Sequence, residues 1–365
     1  MVRKDLVGII GLGAVARVHL AAYRDLPDVE IVGIVDTDPA KLDLARNVLR
    51  IPAFESIEEL AAKDRPNVVC VLTPPSQHES DVLRCAAAGV HVLCEKPMAL
   101  SVAACDRMIA ACKQSNVRLS YGASYRYLPA LVSARQMIQS GAIGEVLLLR
   151  ESAVGGTGID GRATLGFTHY PQGGPGGSGM GLCDHGIHLI DTFAWLLGSS
   201  VERASGRGNI SGVAQRSEVA HLEFANGAVG ELVYEDGTFS TDLPQEGAFS
   251  WSGGWGVGHR DPEAGSAGRW EPHPGTIHIH GTTGALRVLY YANLLYHRDK
   301  SGLKQARVLD RPFPWNFAAQ LEDFLTAIRD NRPTPVPGEA GREACRTLLT
   351  IYTSRTPALS AMRQQ

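Results

Sequence analysis

At 365 residues the chain has room for two domains at about 150 residues each, and 44% hydrophobic residues supply a sizeable core. With 35 Lys+Arg against 38 Asp+Glu and a formal net charge of −3, there is no basic field to hold a polyanion, so nucleic-acid and anionic-membrane partners are not expected. The start, MVRKDLVGIIGLG, enters a strand pattern at once, no apolar run reaches the roughly 18 residues of a membrane span, and the seven cysteines lack close CxxC pairs, so a cytoplasmic protein with small buried thiols is the expectation.

The first third alternates short apolar runs at 6–10, 31–35, 68–72, 91–94 and 118–122 with helical stretches at 15–26, 39–48, 76–88 and 101–115. That rhythm predicts βαβ units on a parallel sheet. A domain edge falls at 122–124, giving a dinucleotide-binding domain over 1–123 and a substrate-binding and oligomerisation domain over 124–365, with packing of its C-terminal helices back on the first domain left open. In the second, a helix at 129–139 precedes strands at 145–152, 221–224, 229–235, 276–280 and 285–289, with hairpin turns at Asn226-Gly227 and Thr283-Gly284. The fold class is α/β: a Rossmann domain followed by an α/β domain on an open, mostly antiparallel sheet. Phe317, Leu321, Phe324, Leu325 and Ile328 share one helical face, and a last helix ends near 354. Gly-rich stretches at 155–181 and 237–275 exceed ordinary connection lengths.

Gly11-Leu-Gly13-Ala14-Val15-Ala16 follows a strand and opens a helix, and Asp36 ends the next strand. Gly11 permits a tight turn, Gly13 admits a pyrophosphate close to the backbone, Ala16 allows tight helix packing, and the helix start offers its unpaired N–H groups. Asp36 would accept from the adenosine ribose hydroxyls and repel a 2′-phosphate, and no Arg stands at 37 or 38. The expected cofactor is NAD rather than NADP.

Further along stand Thr73-Pro74-Pro-Ser-Gln-His78, Glu95-Lys96-Pro97, YRYLP at 125–129, GGSGMGLCDHGIHLID at 176–191 and HGTTGALRV at 280–288. Through these pieces the chain resembles the glucose-fructose oxidoreductase / inositol dehydrogenase / MocA (Gfo/Idh/MocA) family over essentially its whole length. The resemblance implies that Lys96 and His188 are catalytic with Asp184 beside them. It also implies that Thr73, Pro74, His78, Glu95 and Lys96 line the cofactor cleft, and that Arg126 lies near substrate or nicotinamide.

Oxidation of a secondary alcohol requires a base and a cation at one oxygen. His188 suits the base, and Lys96 can stabilise the developing alkoxide. Asp184, four residues before His188, would share its helical face and orient it. Taken alone, a lysine in an xKP turn reads as a solvated residue, His188 as a hydrogen-bonded core histidine and Asp184 as a helix-start acid. The combined context favours catalysis. Asp184, His185 and His188 also fit part of a zinc site, but a third convergent ligand is not evident, and no metal is expected. His278 and His280 read as a polar sheet face. Tyr234 is a candidate for the substrate pocket. Trp251, Trp255 and Trp270, with Phe249 and His259, could stack on a sugar or cover a sheet edge, and Arg162, His169 and Tyr170 could reach the cleft or be loop polarity.

The reading is an NAD-dependent oxidoreductase acting on a secondary hydroxyl of a sugar, polyol or related cyclic hydroxy compound. Two rivals stand beside it: a redox-neutral enzyme with tightly held NAD, and a non-catalytic dinucleotide-sensing regulator. An open sheet with one bare face calls for a homodimer or homotetramer.

Overall fold

Runs of consecutive buried aliphatic residues build the first sheet. Val7, Ile9 and Ile10 on β1 (Asp5–Ile10) and all of β4 (Val68–Val71) are buried, as strands covered on both faces require. With β2 (Val29–Val35), β3 (Ala53–Phe54), β5 (His91–Cys94) and β6 (Leu119–Tyr121) they form a parallel six-stranded sheet in the order β3-β2-β1-β4-β5-β6, the doubly wound Rossmann arrangement. The computed structural model describes residues 4–156, 181–208, 217–239, 275–311 and 314–354. The chain divides into two units, Met1–Leu128 with Arg311–Cys345, and Pro129–Asp310 with Arg346–Gln365.

In the first unit the intervening helices are α1 (Ala14–Tyr23), α2 (Pro39–Leu44), α3 (Ile57–Asp64), α4 (Pro75–Ala87) and α5 (Val102–Gln114). β3 and α3 escape the apolar pattern because one is two residues long and the other buries only Ile57 and Leu60. A start signal for α3 is nevertheless present: the Ser56 hydroxyl accepts from the Glu59 amide at 3.2 Å, half of a capping box. The helix read at 39–48 is split, with a π-helical turn at Ala45–Leu49 after α2. Phe317, Leu321, Phe324 and Leu325 of α8 (Trp315–Arg329) pack into one core with Val7, Ile9, Ala16 and Tyr23. All seven cysteines are buried thiols.

The second unit holds α6 (Pro129–Gln139), α7 (Ile187–Leu197) and an eight-stranded sheet, ordered β14-β13-β12-β11-β7-β10-β9-β8. Its strands are β7 (Val146–Gly156), β8 (Val201–Gly208), β9 (Ser217–Phe224), β10 (Val229–Phe239), β11 (Thr276–Gly281), β12 (Ala285–Leu289), β13 (Leu294–Asp299) and β14 (Gly302–Gln305). β7 and β10 run parallel, and every other neighbouring pair is antiparallel. Strand alternation buries Leu149, Leu232, Ile277, Ile279, Leu286, Val288 and Leu295 on one side. β8, β13 and β14 carry too few buried residues to stand out in the sequence. α9 (Gly338–Thr353) closes the described chain, and its last turns lie along β8, where the Ser354 hydroxyl accepts from the Gly206 amide at 3.1 Å. No helix among the described residues is long and apolar enough to cross a membrane.

The C-terminal ends of β5 and β6 approach closely because position 122 has no side chain. The Gly122 amide donates to the Cys94 carbonyl at 2.7 Å, and a Cβ there would sit 2.9 Å from that oxygen and from the Glu95 Cα. Beneath this turn the Glu95 carboxylate, 5% exposed, meets His19 Nε2 of α1 at 3.1 Å and accepts the Lys96 amide at 2.9 Å. The other His19 nitrogen meets the Tyr23 hydroxyl at 2.7 Å. Burial pushes the Glu95 carboxyl up, but the hydrogen bond and charge from His19, with Lys96, outweigh it and hold its pKa below the ordinary value.

Gly122→Ala should destabilise the protein by about 1–3 kcal/mol through forced backbone displacement, read as a lower urea midpoint. For Glu95 the folded state binds fewer protons than the unfolded one. Its contribution is therefore complete above the ordinary carboxylate range, near pH ~4.3, and lost as pH falls through the lowered folded value. Glu95→Gln should lower stability at pH 7 by about 1–3 kcal/mol and make the acid limb of a stability-against-pH curve shallower.

Candidate active site

One candidate cluster lies in the first unit, at the C-terminal ends of β1, β2, β4 and β5. Gly11 turns out of β1 with φ +91°, a conformation L-residues rarely adopt, and a Cβ there would lie 3.0 Å from the Leu72 backbone and from Thr73. Gly13 caps α1 with no side-chain hydrogen bond, and a Cβ on it would meet nothing within 4 Å. The helix start thus presents bare N–H groups to open space, which suits a pyrophosphate. Asp36 at the end of β2 accepts the Leu12 amide at 2.8 Å and the Asp38 amide at 3.0 Å, and Lys41 Nζ stands 3.4 Å from its carboxylate. Burial opposes ionisation of Asp36, but these amides and the Lys41 charge outweigh it, so the carboxyl lies below its ordinary pKa. The donor set fits a dinucleotide: the amides at Gly13, Ala14 and Val15 for the phosphates, and an ionised Asp36 for a ribose.

Thr73 and the Lys96 turn are tied to each other by His78. That imidazole is fully buried, with Nε2 2.7 Å from the Thr73 carbonyl and Nδ1 2.9 Å from the Pro97 carbonyl. The Thr73 hydroxyl donates to Asp81 at 2.7 Å. The sequence reading groups Thr73, Pro74, His78, Glu95 and Lys96 as cleft residues. In the fold they form one connected set, but the polar atoms of His78 and Glu95 are spent inside the protein. Arg126 stands half-buried in a 3-10 turn, Ser124–Tyr127, after β6. Lys41, His19 and Asp81 are parts of this set that sequence reasoning missed. Lys41 was legible, five residues past Asp36 on the first turn of a helix.

A second candidate cluster lies in the other unit. Gly181–Gly186 forms a π-helical turn that runs into α7, so Asp184 and His188 stand on a helix that changes type between them rather than on one uniform α-helix. Asp184, His185 and His188 are all buried, His188 at 6% exposure. Beneath them Glu151 of β7, 1% exposed, accepts from the Tyr234 hydroxyl at 2.6 Å and from the Tyr290 hydroxyl. His185 Nε2 stands 3.1 and 3.2 Å from its two oxygens. Tyr234, the sequence candidate for a substrate contact, is therefore a buried donor to Glu151, and burial with that carboxylate drives its phenol pKa well up. The His185 and His188 rings lie 6.4 Å apart, edge to face. Among the described residues no three His, Cys, Asp or Glu side chains gather to hold a metal ion. Glu151 was legible as an acid on the inward parity of an apolar strand. Arg162, His169, Tyr170, Phe249, Trp251, Trp255, His259 and Trp270 lie outside the described residues.

Comparison with known proteins agrees with both units. Residues 6–123 match the family model described as "Oxidoreductase family, NAD-binding Rossmann fold", and residues 131–248 match the GFO/IDH/MocA C-terminal domain. The chain is 28% identical over 205 residues to glucose-6-phosphate 3-dehydrogenase of Bacillus subtilis, covering 56% of this chain and 57% of that one. It is 24% identical over 342 residues to myo-inositol 2-dehydrogenase of Thermotoga maritima, covering 93% and 92%. In fold it is similar to an aldose-aldose oxidoreductase from Caulobacter crescentus solved with glycerol, with a TM-score of 0.77 and 22% identity over 96% of this chain and 97% of the other. The chain therefore belongs to the GFO/IDH/MocA family of oxidoreductases, with an NAD-binding Rossmann fold in its N-terminal unit.

Proposed function

We propose that the protein is an NAD-dependent dehydrogenase that oxidises a secondary hydroxyl of a sugar, polyol or related cyclic hydroxy compound. The observation that carries the cofactor part is the uncapped start of α1 beside an ionised Asp36 anchored on the Leu12 amide. The substrate class is supported by relatives named for glucose 6-phosphate and myo-inositol. Bound at that helix start, NAD supplies the hydride acceptor. His188 takes the hydroxyl proton, Asp184 orients the imidazole, and Lys96 stabilises the negative charge that grows on the substrate oxygen. Arg126 contributes to substrate placement.

The screening experiment is NADH formation at 340 nm with a panel of aldoses, inositols, sugar acids, sugar phosphates and glycosides. A product formed without NADH, from protein carrying stoichiometric NAD, would replace net oxidation by redox-neutral turnover. Lys96→Ala and His188→Ala should each keep NAD affinity, measured by fluorescence titration, and lose about 10²–10⁴-fold in kcat. Wild-type rates in either would remove that residue from the mechanism. The wild type should bind NAD at least about tenfold more tightly than NADP, and Asp36→Ser should narrow or invert the ratio, because the carboxylate that repels a 2′-phosphate is gone.

A further inference from the structure

Glu151 sits where an aliphatic residue would be expected. Its register partners on the neighbouring strands are Leu232 and Ile277, and Leu149, two residues before it, is fully buried. A carboxylate withdrawn from water is costly unless donors surround it. Here the donors come from three elements: Tyr234 on β10, Tyr290 just after β12, and His185 on the π-helical turn. The Tyr290 hydroxyl also lies 3.1 Å from His185 Nε2. The turn is pressed onto this cluster at Gly186, where a Cβ would stand 3.1 Å from the Tyr234 ring and 3.0 Å from Leu182. Its first residues are fixed on the same face of the sheet, the Leu182 amide donating to Glu218, the register partner of Tyr234, at 2.5 Å. A π-turn is a rare excursion from the α-helix, usually local and usually at functional positions. It persists only where its surroundings determine it.

From this arrangement we infer that Glu151 and His185 are positioning residues: the Glu151–His185 hydrogen bond pins the π-helical turn to the sheet and thereby fixes Asp184, one residue before it, and His188, three residues after it. His185 is not itself a catalytic group. Its Nε2 faces Glu151, and its ring lies 6.4 Å from the His188 ring, edge to face. The inference rests on the proposed role of His188 for its meaning, but the geometry of the turn does not.

The test uses the full chain labelled with 13Cε1-histidine, without cofactor or substrate, and follows the His188 signal, assigned by its loss in His188→Gln, from about pH 5 to 9. Among the described residues, the ionisable groups buried around the turn include Cys183, Asp184, His185 and Asp191 on its own segment, Glu151, Glu218 and Tyr234 on the packed strands, and Tyr290 just after β12. Two substitutions separate position from mere polarity. The amide nitrogen of Gln reaches the place of a histidine Nε2, and that of Asn reaches only the place of Nδ1. His185→Gln should leave the His188 shift and midpoint within about 0.2 pH unit of wild type. His185→Asn should displace the midpoint by about half a unit or more, in a protein that still unfolds cooperatively and binds NAD as wild type does.

If His185→Asn does not fold, Glu151→Gln takes its place with the same expectation. An unmoved His188 titration in the folded variant, or equal damage from Gln and Asn, overturns the inference. So does failure of both His185→Asn and Glu151→Gln to fold beside an intact His185→Gln, which would make the bond a stability element only. Loss of turnover in His188→Ala with an unmoved titration would end the positioning role and leave the base assignment standing. The reverse pattern would end the base assignment alone.

Discussion

A carboxylate taken out of water has to be met by donors, and each unit of this protein is organised around one such carboxylate held by a histidine. In the first, Glu95 draws His19 of α1 to the turn that carries Lys96. In the second, Glu151 gathers two tyrosine hydroxyls and His185 under the turn that carries Asp184. In both cases the acid is adjacent to, or one contact from, a residue assigned to chemistry, and its partners come from elements distant in sequence. Such pairs contribute less to net stability than their geometry suggests, because desolvation offsets much of the attraction. What they supply is a single arrangement, since the alternatives leave a charge buried without partners.

Around these acids, close backbone approach sets the remaining geometry. Gly11 lies against the Leu72 backbone, and Gly122 against the Cys94 carbonyl and the Glu95 Cα, so the ends of β1, β4, β5 and β6 converge more tightly than side chains would permit. His78 then bridges two of these ends through backbone carbonyls on both of its nitrogens. The helix start at Gly13 carries no side-chain cap, so the first amides of α1 suit a ligand. Asp36 follows the same logic, since the Leu12 and Asp38 amides fix one orientation of a carboxylate that remains ionised.

The parallel sheet was legible because strands buried on both faces write themselves as unbroken aliphatic runs, and the helix of Phe317, Leu321, Phe324 and Leu325 because its apolar stripe has a helical period. The strand–glycine–helix–strand–acid order around Gly11 and Asp36 was legible for the same local reason. What escaped was short or one-sided: β3 has two residues, β13 and β14 bury little, and α3 announces itself only through its Ser56 cap. The π-helical form of Gly181–Gly186 has no local signature either, because it depends on what the side chain of His185 meets across the chain.

Local pattern thus determined the fold class, the family pieces and the residue types available for chemistry, since hydrophobic period, turn residues and motif order are properties of neighbours in sequence. Tertiary structure alone decided which of those residues are committed inward. Tyr234 and His78 read as pocket residues from their position, yet their polar atoms are consumed by Glu151 and by two backbone carbonyls. Lys41 and Glu151 stood at legible positions, one on the first turn of a helix and one on the inward parity of a strand, but packing set their partners, Asp36 and His185, 5 and 34 residues away. The physical reason is that a hydrogen bond is specified by the place where its donor arrives, and chain packing sets that place for residues far apart in sequence.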